Sequence, residues 1–334
     1  MTRRVLVIGG GGTLGVRIRS ALEITGEFDV VTGTRRPDGN SSEVQLDAQD
    51  RSSISATLDA DDYSAVIVAV PQTDPLVQQA CASRDLPCID VAPTDELRRT
   101  EQDTLRNATS PLVTMCGFHP GLSGLMATDT TSGLDELHEL HVGLLQSTNA
   151  SVGATGVKDM LSMLTLPVRT PQGLRPGFAQ KRPMSFGPRR VNLRRMHHDE
   201  ASALKEKFAT AEVAYYTAWS STPFTLMIAA LNRSGILRRV VQSRLRLTPR
   251  HNPAKPEIAH LRVEATGTVD GTQTTRHRSV EVLSDYKATA CVVAVLTRLV
   301  LDRPARFSGI VTPMDIVSLD EVKYLLDSAV IRFS

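Results

Sequence analysis

Cysteine is scarce in this chain: four residues, Cys81, Cys88, Cys116 and Cys291, none spaced C-x-x-C. That shortage excludes a disulfide framework and a zinc ribbon. It leaves reduced thiols in apolar surroundings, as expected of a cytoplasmic protein. No run of about 18 apolar residues occurs, so no membrane-spanning helix is expected. The N-terminus enters a strand directly, which argues against a signal peptide. A net charge of +2 is too small to suggest nucleic acid as a partner. The excess is uneven, however, and bases outnumber acids roughly three to one from Lys158 to Lys255. No internal repeat, Walker loop or Ser-His-Asp order is found, and no metal site is expected. The one metal-like group, His197-His198-Asp199, lacks a second pair and reads as a surface turn.

What remains is an ordinary globular composition, 41% apolar and 22% charged, over 334 residues. Two domains fit that length.

The informative stretch is VLVIGGGGTLGVRIRS, Val5 to Ser20. Arg4 to Ile8 reads as a buried strand, and Leu14, Ile18 and Leu22 recur at helical spacing. Between them, Gly10-x-Gly12-x-x-Gly15 matches the dinucleotide fingerprint. Gly10 is expected to make the tight turn, Gly12 to admit the pyrophosphate, and Gly15 to let helix and strand pack closely. The helix start offers unpaired N–H groups to phosphate. Gly9, Gly10, Gly12, Thr13, Leu14 and Gly15 are therefore the candidate pyrophosphate contacts.

Strands are expected at Phe28–Thr32, Glu43–Leu46, Ala65–Val70, Pro87–Val91 and Pro111–Cys116. Helices are expected at Ser52–Leu58, Pro75–Ser83 and Glu96–Arg106. This alternation predicts a doubly wound parallel sheet. An NAD site places an acid after the second strand. Here Thr34, Arg35 and Arg36 stand instead. A guanidinium can take a 2′-phosphate, so NADP is expected over NAD, although both arginines also read as solvated loop charges. Asp47 ends the third strand. Val70, Pro71 and Gln72 follow the fourth, and Asp90 ends the fifth. All lie on the carboxyl edge, where a dinucleotide is held.

After Gly117 the pattern changes. Glu136–Leu145 alternates as a strand, and a small-residue turn at Ser151–Gly156 opens a helix suited to a substrate carboxylate. Thr170–Pro188 reads as a loop or short hairpin, Ser202–Ala214 as helical at its start, and Phe224–Val241 as one amphipathic helix. Ile258–Thr268 and Thr274–Leu283 flank the hairpin signal Asp270-Gly271. Asp285–Leu301 is a long helix, and Asp315–Leu326 a closing one. The fold class is α/β: a Rossmann domain (1–117), an α+β domain with a mixed or antiparallel sheet (118–284), and a C-terminal segment (285–334). The alternation of Ile258–Thr268 suggests a sheet face that is not wholly polar, hence a homodimer.

Several stretches together resemble the saccharopine dehydrogenase-like oxidoreductases. They are VLVIGGGGTLG, VIVAVPQTDPLVQQACASRDLPCIDVAP, GFHPGLSGL (similar to the family's GFxPGL), and SDYKATACVVAVLTRLVL followed by GIVTPMDI. The likeness is thin between Thr165 and Ala254. It implies a C-terminal segment that packs back on the first domain. It also implies nicotinamide-dependent chemistry on a small molecule, often at an amine–imine carbon; reduction of C=C or C=O fits the same fold. A non-catalytic NADP-binding protein is the reading from another class.

Two residues are candidates for proton transfer. His119 stands at the domain junction as a proton donor or as the residue that shapes the His119-Pro120 bend. Lys158, after the small-residue turn, is a donor or a solvated helix lysine. Asp90 holds the nicotinamide ribose or caps a turn. Tyr215 and Trp219 line a pocket or pack in the core. Within the basic run Arg182, Arg189, Arg190, Arg194 and Arg195, acid recognition and plain solvation both stand. The active site is expected in the cleft between the domains, beneath Pro71-Gln72 and beside Gly117–Leu122.

Overall fold

The computed structural model describes every residue except 1, 40–41, 93–95, 244, 246, 249, 304 and 305. The chain divides into two compact units, 1–125 with 286–326, and 126–285 with 327–334.

In the first unit the expected strands all form, several of them shorter than their apolar runs. They are β1 (Arg3–Ile8), β2 (Phe28–Thr34), β3 (Glu43–Gln45), β4 (Ala65–Val68), β5 (Cys88–Asp90) and β6 (Pro111–Val113). Val5 to Ile8 and Ala65 to Val68 are buried throughout, because helices cover both faces of a parallel sheet. Helix α1 (Thr13–Ile24) buries Gly15, Ile18 and Leu22. The expected helix Glu96–Arg106 is only Asp103–Arg106, preceded by turns.

The second unit contributes β7 (Glu136–Gln146), the small pair β8 (Val168–Thr170) and β9 (Gly173–Arg175), β10 (Lys181–Phe186), β11 (Arg189–Met196), β12 (Glu212–Trp219), β13 (Ala259–Val269) and β14 (Thr272–Val282). Two late strands return, one to each unit. β15 (Gly309–Val311) pairs parallel to β6, and β16 (Ile331–Phe333) pairs antiparallel to β14. Among the described residues the first sheet is parallel, in the order β15-β6-β5-β4-β1-β2-β3. The second is mixed, in the order β10-β11-β12-β7-β13-β14-β16, with β12 and β7 parallel.

Several expectations need correction here. Thr170–Pro188, a loop or short hairpin by sequence, holds β9, paired with β8, and β10, paired antiparallel with β11. Ser202–Ala214 is helical at its start, within Glu200–Lys207, but its end and the residues after it form β12, a strand not expected from the sequence. β12 is buried from Val213 to Trp219, so it shows no alternation to betray it. Tyr215 and Trp219 are core residues of that strand. β10 and β11 hide their few inward residues, Met184, Phe186 and Leu193, among arginines. The helix expected over Phe224–Val241 is two, Thr222–Arg233 and Ile236–Gln242, because Gly235 adopts a left-handed conformation between them. The closing helix is likewise two short ones, Pro313–Ile316 and Leu319–Lys323, each with a capping box.

The Asp270-Gly271 turn joins β13 to β14 with both residues at positive φ, which matches the twist of a two-residue hairpin. The second face of β13 carries His260, Arg262, Glu264 and Thr266. Arg262 pairs with Glu264 at 2.8 Å, and Arg182 reaches the same carboxylate at 3.4 Å. That face is polar and ion-paired, which removes the reason for expecting a dimer through it.

Candidate functional site

The carboxyl edge of the parallel sheet gathers most of the predicted cofactor residues. Ile8 lies opposite Gly33 of β2 and Val68 of β4. The chain then turns sharply. The Gly9 N–H donates to the Gly33 carbonyl at 2.8 Å, and the Gly12 N–H donates back to Gly9 at 2.9 Å. Gly10 lies in that turn, its N–H donating to the Val7 carbonyl at 3.3 Å, and Gly9, with φ +82, is the turn's left-handed residue. A side chain on Gly15 would place its Cβ 2.1 Å from the Gly9 oxygen, so glycine is required where α1 crosses β1. Gly12 caps α1 without any side-chain bond, and the first turn has no acid. Gly11, Gly12 and Thr13 are exposed, and a Cβ on Gly11 would meet nothing within 4 Å. The result is an open cradle of backbone N–H groups at the positive end of a helix, suited to a diphosphate. Leu14 is half-buried behind it.

One strand over, Thr34 closes β2 and its hydroxyl accepts from the Arg36 N–H at 3.4 Å. Arg35 and Arg36 are exposed. Asp47 follows β3, where its carboxylate accepts from the Gln49 N–H. No acid interrupts the turn after β2 until Asp38.

On the other side of β1, the positions after β4 and β5 are tied together by side-chain amides. Gln72 donates to Gln78 at 3.1 Å, and Gln78 donates to Asp90 Oδ2 at 2.7 Å. The other Asp90 oxygen accepts from the Ala92 N–H at 2.8 Å. Burial pushes the Asp90 carboxyl up to about 6, and the two hydrogen bonds offset part of that rise. Both oxygens are thus engaged in shaping the edge. Gln78, buried in a helix with no sequence signal to mark it, is the residue that sequence reasoning missed. Val70 and Pro71 border the same loop. A Cβ on Gly9 would lie 2.3 Å from Val70 Cγ1, so the glycine turn and the post-β4 loop touch.

β6 leads into Gly117–Leu122. The Cys116 N–H donates to the Asp90 carbonyl at 3.0 Å, bringing this segment to the same edge. The Phe118 N–H donates to the Thr289 hydroxyl, and the Leu122 N–H to the Gly117 carbonyl. A helix begins at Ser123. Burial lowers the His119 imidazole to about 3. At neutral pH it is uncharged, so a value set near neutrality, as a donating imidazolium requires, is not what the environment produces.

In the second unit, Lys158 is exposed on helix Ala154–Thr165. The turn before that helix is partly claimed by the protein itself: the Ser151 N–H donates to Glu257 Oε2 at 3.0 Å. A substrate carboxylate would find that amide taken. Ser284 donates to the same oxygen at 2.8 Å. Burial, with the Glu257 charge adding to it, raises Asp285 to about 7. Of the basic run, Arg195 pairs with Glu212 at 2.7 Å and Arg194 lies over the Phe178 ring. His198, expected at a surface turn, is buried and stacked on Tyr215 at 4.4 Å. Among the described residues no cluster of three or more His, Cys, Asp or Glu is arranged to hold a metal. No helix among them is long and apolar enough to cross a membrane.

No family model and no curated protein matches this chain. Solved structures do. DAP dehydrogenase of C. glutamicum in complex with DAP is 15% identical with a TM-score of 0.53, over 98% of this chain and 96% of that one. An engineered D-amino acid dehydrogenase bound to NADP+ is 13% identical with a TM-score of 0.54, over 98% and 96%. A mutant meso-DAP dehydrogenase of Clostridium tetani E88 with DAP is 14% identical with a TM-score of 0.52, over 96% and 95%. At such identities the likeness is one of architecture, and it establishes that this chain has the two-unit α/β fold, parallel sheet and mixed sheet, that these dehydrogenases share.

Proposed function

We propose that the chain is an NADP-dependent oxidoreductase that reduces an imine-like C=N carbon in a small amino-acid-derived or secondary-metabolite substrate, a reaction of the saccharopine dehydrogenase-like type. The observation that carries this reading is the open glycine cradle before α1, with Arg35 and Arg36 exposed one strand away and no acid between the end of β2 and Asp38. The residues fit the group: the backbone N–H groups of Thr13, Leu14 and Gly15 in the first turn of α1 would hold the diphosphate, and the two guanidinium groups the 2′-phosphate. When bound, the nicotinamide supplies the hydride. The chain supplies position. Gln72, Gln78 and Asp90 brace the edge along which the cofactor would extend, and the neutral His119 imidazole offers a hydrogen bond without a charge. Lys158 is the second candidate for proton delivery. The likeness in fold to dehydrogenases named for amino acids, one of them bound to NADP+, favours an amino-acid-derived C=N substrate over a simple ketone. Cys81, Cys88 and Cys116 are buried free thiols, consistent with a cytoplasmic enzyme.

The test is calorimetric titration with NADPH and NADH, followed by turnover assays on cyclic imines, on 2-oxo acids with ammonia, and on enones. NADPH-dependent reduction confined to the C=N compounds is the expected result. Turnover of enones alone would move the reading to C=C reduction. Tight NADPH binding with no turnover on any compound would assign the chain to cofactor sensing.

A further inference from the structure

The second unit exposes apolar side chains where no acid stands near in sequence. On helix Thr222–Arg233, Leu226 is 50% and Met227 48% exposed, while Thr225 and Ile228 are buried. Leu226, Met227, Ala230 and Arg233 fall at i, i+1, i+4 and i+7, so they line one outward stripe. In the next helix Ile236 is 43% exposed and is followed by exposed Arg238 and Arg239, and beyond that helix Leu245 is 65% exposed. The Asn232 side chain donates to the Leu164 carbonyl at 3.1 Å, which sets the exposed Leu166 beside the same helix pair.

Charge separates the possible occupants of this face. Arg233, Arg238, Arg239, Arg250 and Lys255 are all exposed. From Val213 to Pro256 the sequence holds no Asp or Glu. A two-fold contact between copies through this stripe would set arginines against arginines with no carboxylate from 213–256 to pair them, so a second copy is the poor occupant. Apolar side chains interleaved with cations suit a surface that is apolar below and anionic above. We propose that this face docks peripherally on an anionic lipid bilayer, with Leu226, Met227, Ile236 and Leu245 entering the headgroup boundary and the arginines meeting lipid phosphates and carboxylates. The face lies apart in sequence from the glycine cradle, so this inference stands or falls independently of the cofactor reading.

The experiment is co-sedimentation of the full chain with vesicles of phosphatidylcholine alone, or mixed with phosphatidylserine at about two to one. Binding to the mixed vesicles only, weakened by salt, is expected. Leu226→Ser with Met227→Ser should reduce partitioning about tenfold, and Arg238→Gln with Arg239→Gln by about tenfold or more. All four side chains are exposed, so NADPH affinity and thermal unfolding should stay unchanged as controls. Absence of binding to the mixed vesicles, or equal binding to both kinds, would overturn the proposal. So would a dimer in sedimentation that the Leu226→Ser, Met227→Ser variant dissolves, which would give the face to a second copy. Binding to soluble polyglutamate that the same variant leaves intact would point to an acidic protein and overturn it equally.

Discussion

The backbone oxygen of Gly9 lies 2.1 Å from where a Cβ on Gly15 would be, closer than any real contact allows. One turn of α1 is thereby pressed against the loop that leaves β1. Gly15→Ala must push the helix away from the sheet, at a cost of about 1–3 kcal/mol. Urea unfolding should show the loss, together with weaker NADPH binding.

Gly12→Val separates binding from folding. Its Cβ would sit 3.3 Å from the Gly9 oxygen, a contact that a small adjustment relieves. The variant should fold, yet its branched side chain would stand where pyrophosphate must approach. Calorimetry should find NADPH binding lost while thermal unfolding changes little. A folded variant that still binds tightly would reduce the glycines to a turn.

Cofactor choice rests on Arg35 and Arg36. Each contact with a 2′-phosphate is worth about 1.5–3 kcal/mol, roughly tenfold to a hundredfold in affinity. Arg35→Ala and Arg36→Ala should each weaken NADPH by that factor and leave NADH almost unaffected. Equal affinity of the parent protein for both cofactors would remove the NADP assignment.

His119 makes acid a specific stress. Its ordinary value is 6.5, and burial holds it at about 3 in the folded chain. Below about pH 6.5 the unfolded chain accepts a proton that the folded chain refuses, so stability falls by up to about 1.4 kcal/mol per pH unit until the folded value is reached. Asp90, raised to about 6, and Asp285, raised to about 7, act oppositely. Their contributions are complete below the ordinary carboxyl value and are lost as pH rises through 6 and 7. Comparing the parent with His119→Gln isolates the histidine. Between about pH 7 and about pH 5 the difference in unfolding free energy should shift toward the variant by about 2 kcal/mol.

The same burial makes a kinetic forecast. With His119 neutral, the pH profile of turnover should show no inflection from it between about pH 5 and 8. His119→Ala should still slow turnover, by about 10²-fold or more, through loss of a positioned hydrogen bond, and leave NADPH affinity intact. If His119→Ala and Lys158→Ala both keep the parent rate in single turnovers, proton delivery belongs to water or substrate.

Local chemistry is what made parts of this molecule legible in advance. β1 is a run of buried aliphatic residues, the glycine spacing needs no long-range contact to be recognised, and Asp270-Gly271 sets its own hairpin. In each case the signal lies within a few residues of the structure it specifies. The parallel sheet follows from alternation for the same reason. β12 was not legible, because burial on both faces erases the period of two; nor was the extent of β10 and β11, where Pro, Gly and Arg left a loop and a short hairpin both open. Only folding decided that Gly9 and not Gly10 carries the positive φ, that Gln78 bridges Gln72 to Asp90, and that Glu257 claims the Ser151 amide. Only folding set the His119 imidazole in surroundings that hold it neutral. A pKa is a property of what surrounds a group, and the neighbours that matter come from distant parts of the chain, brought together by packing.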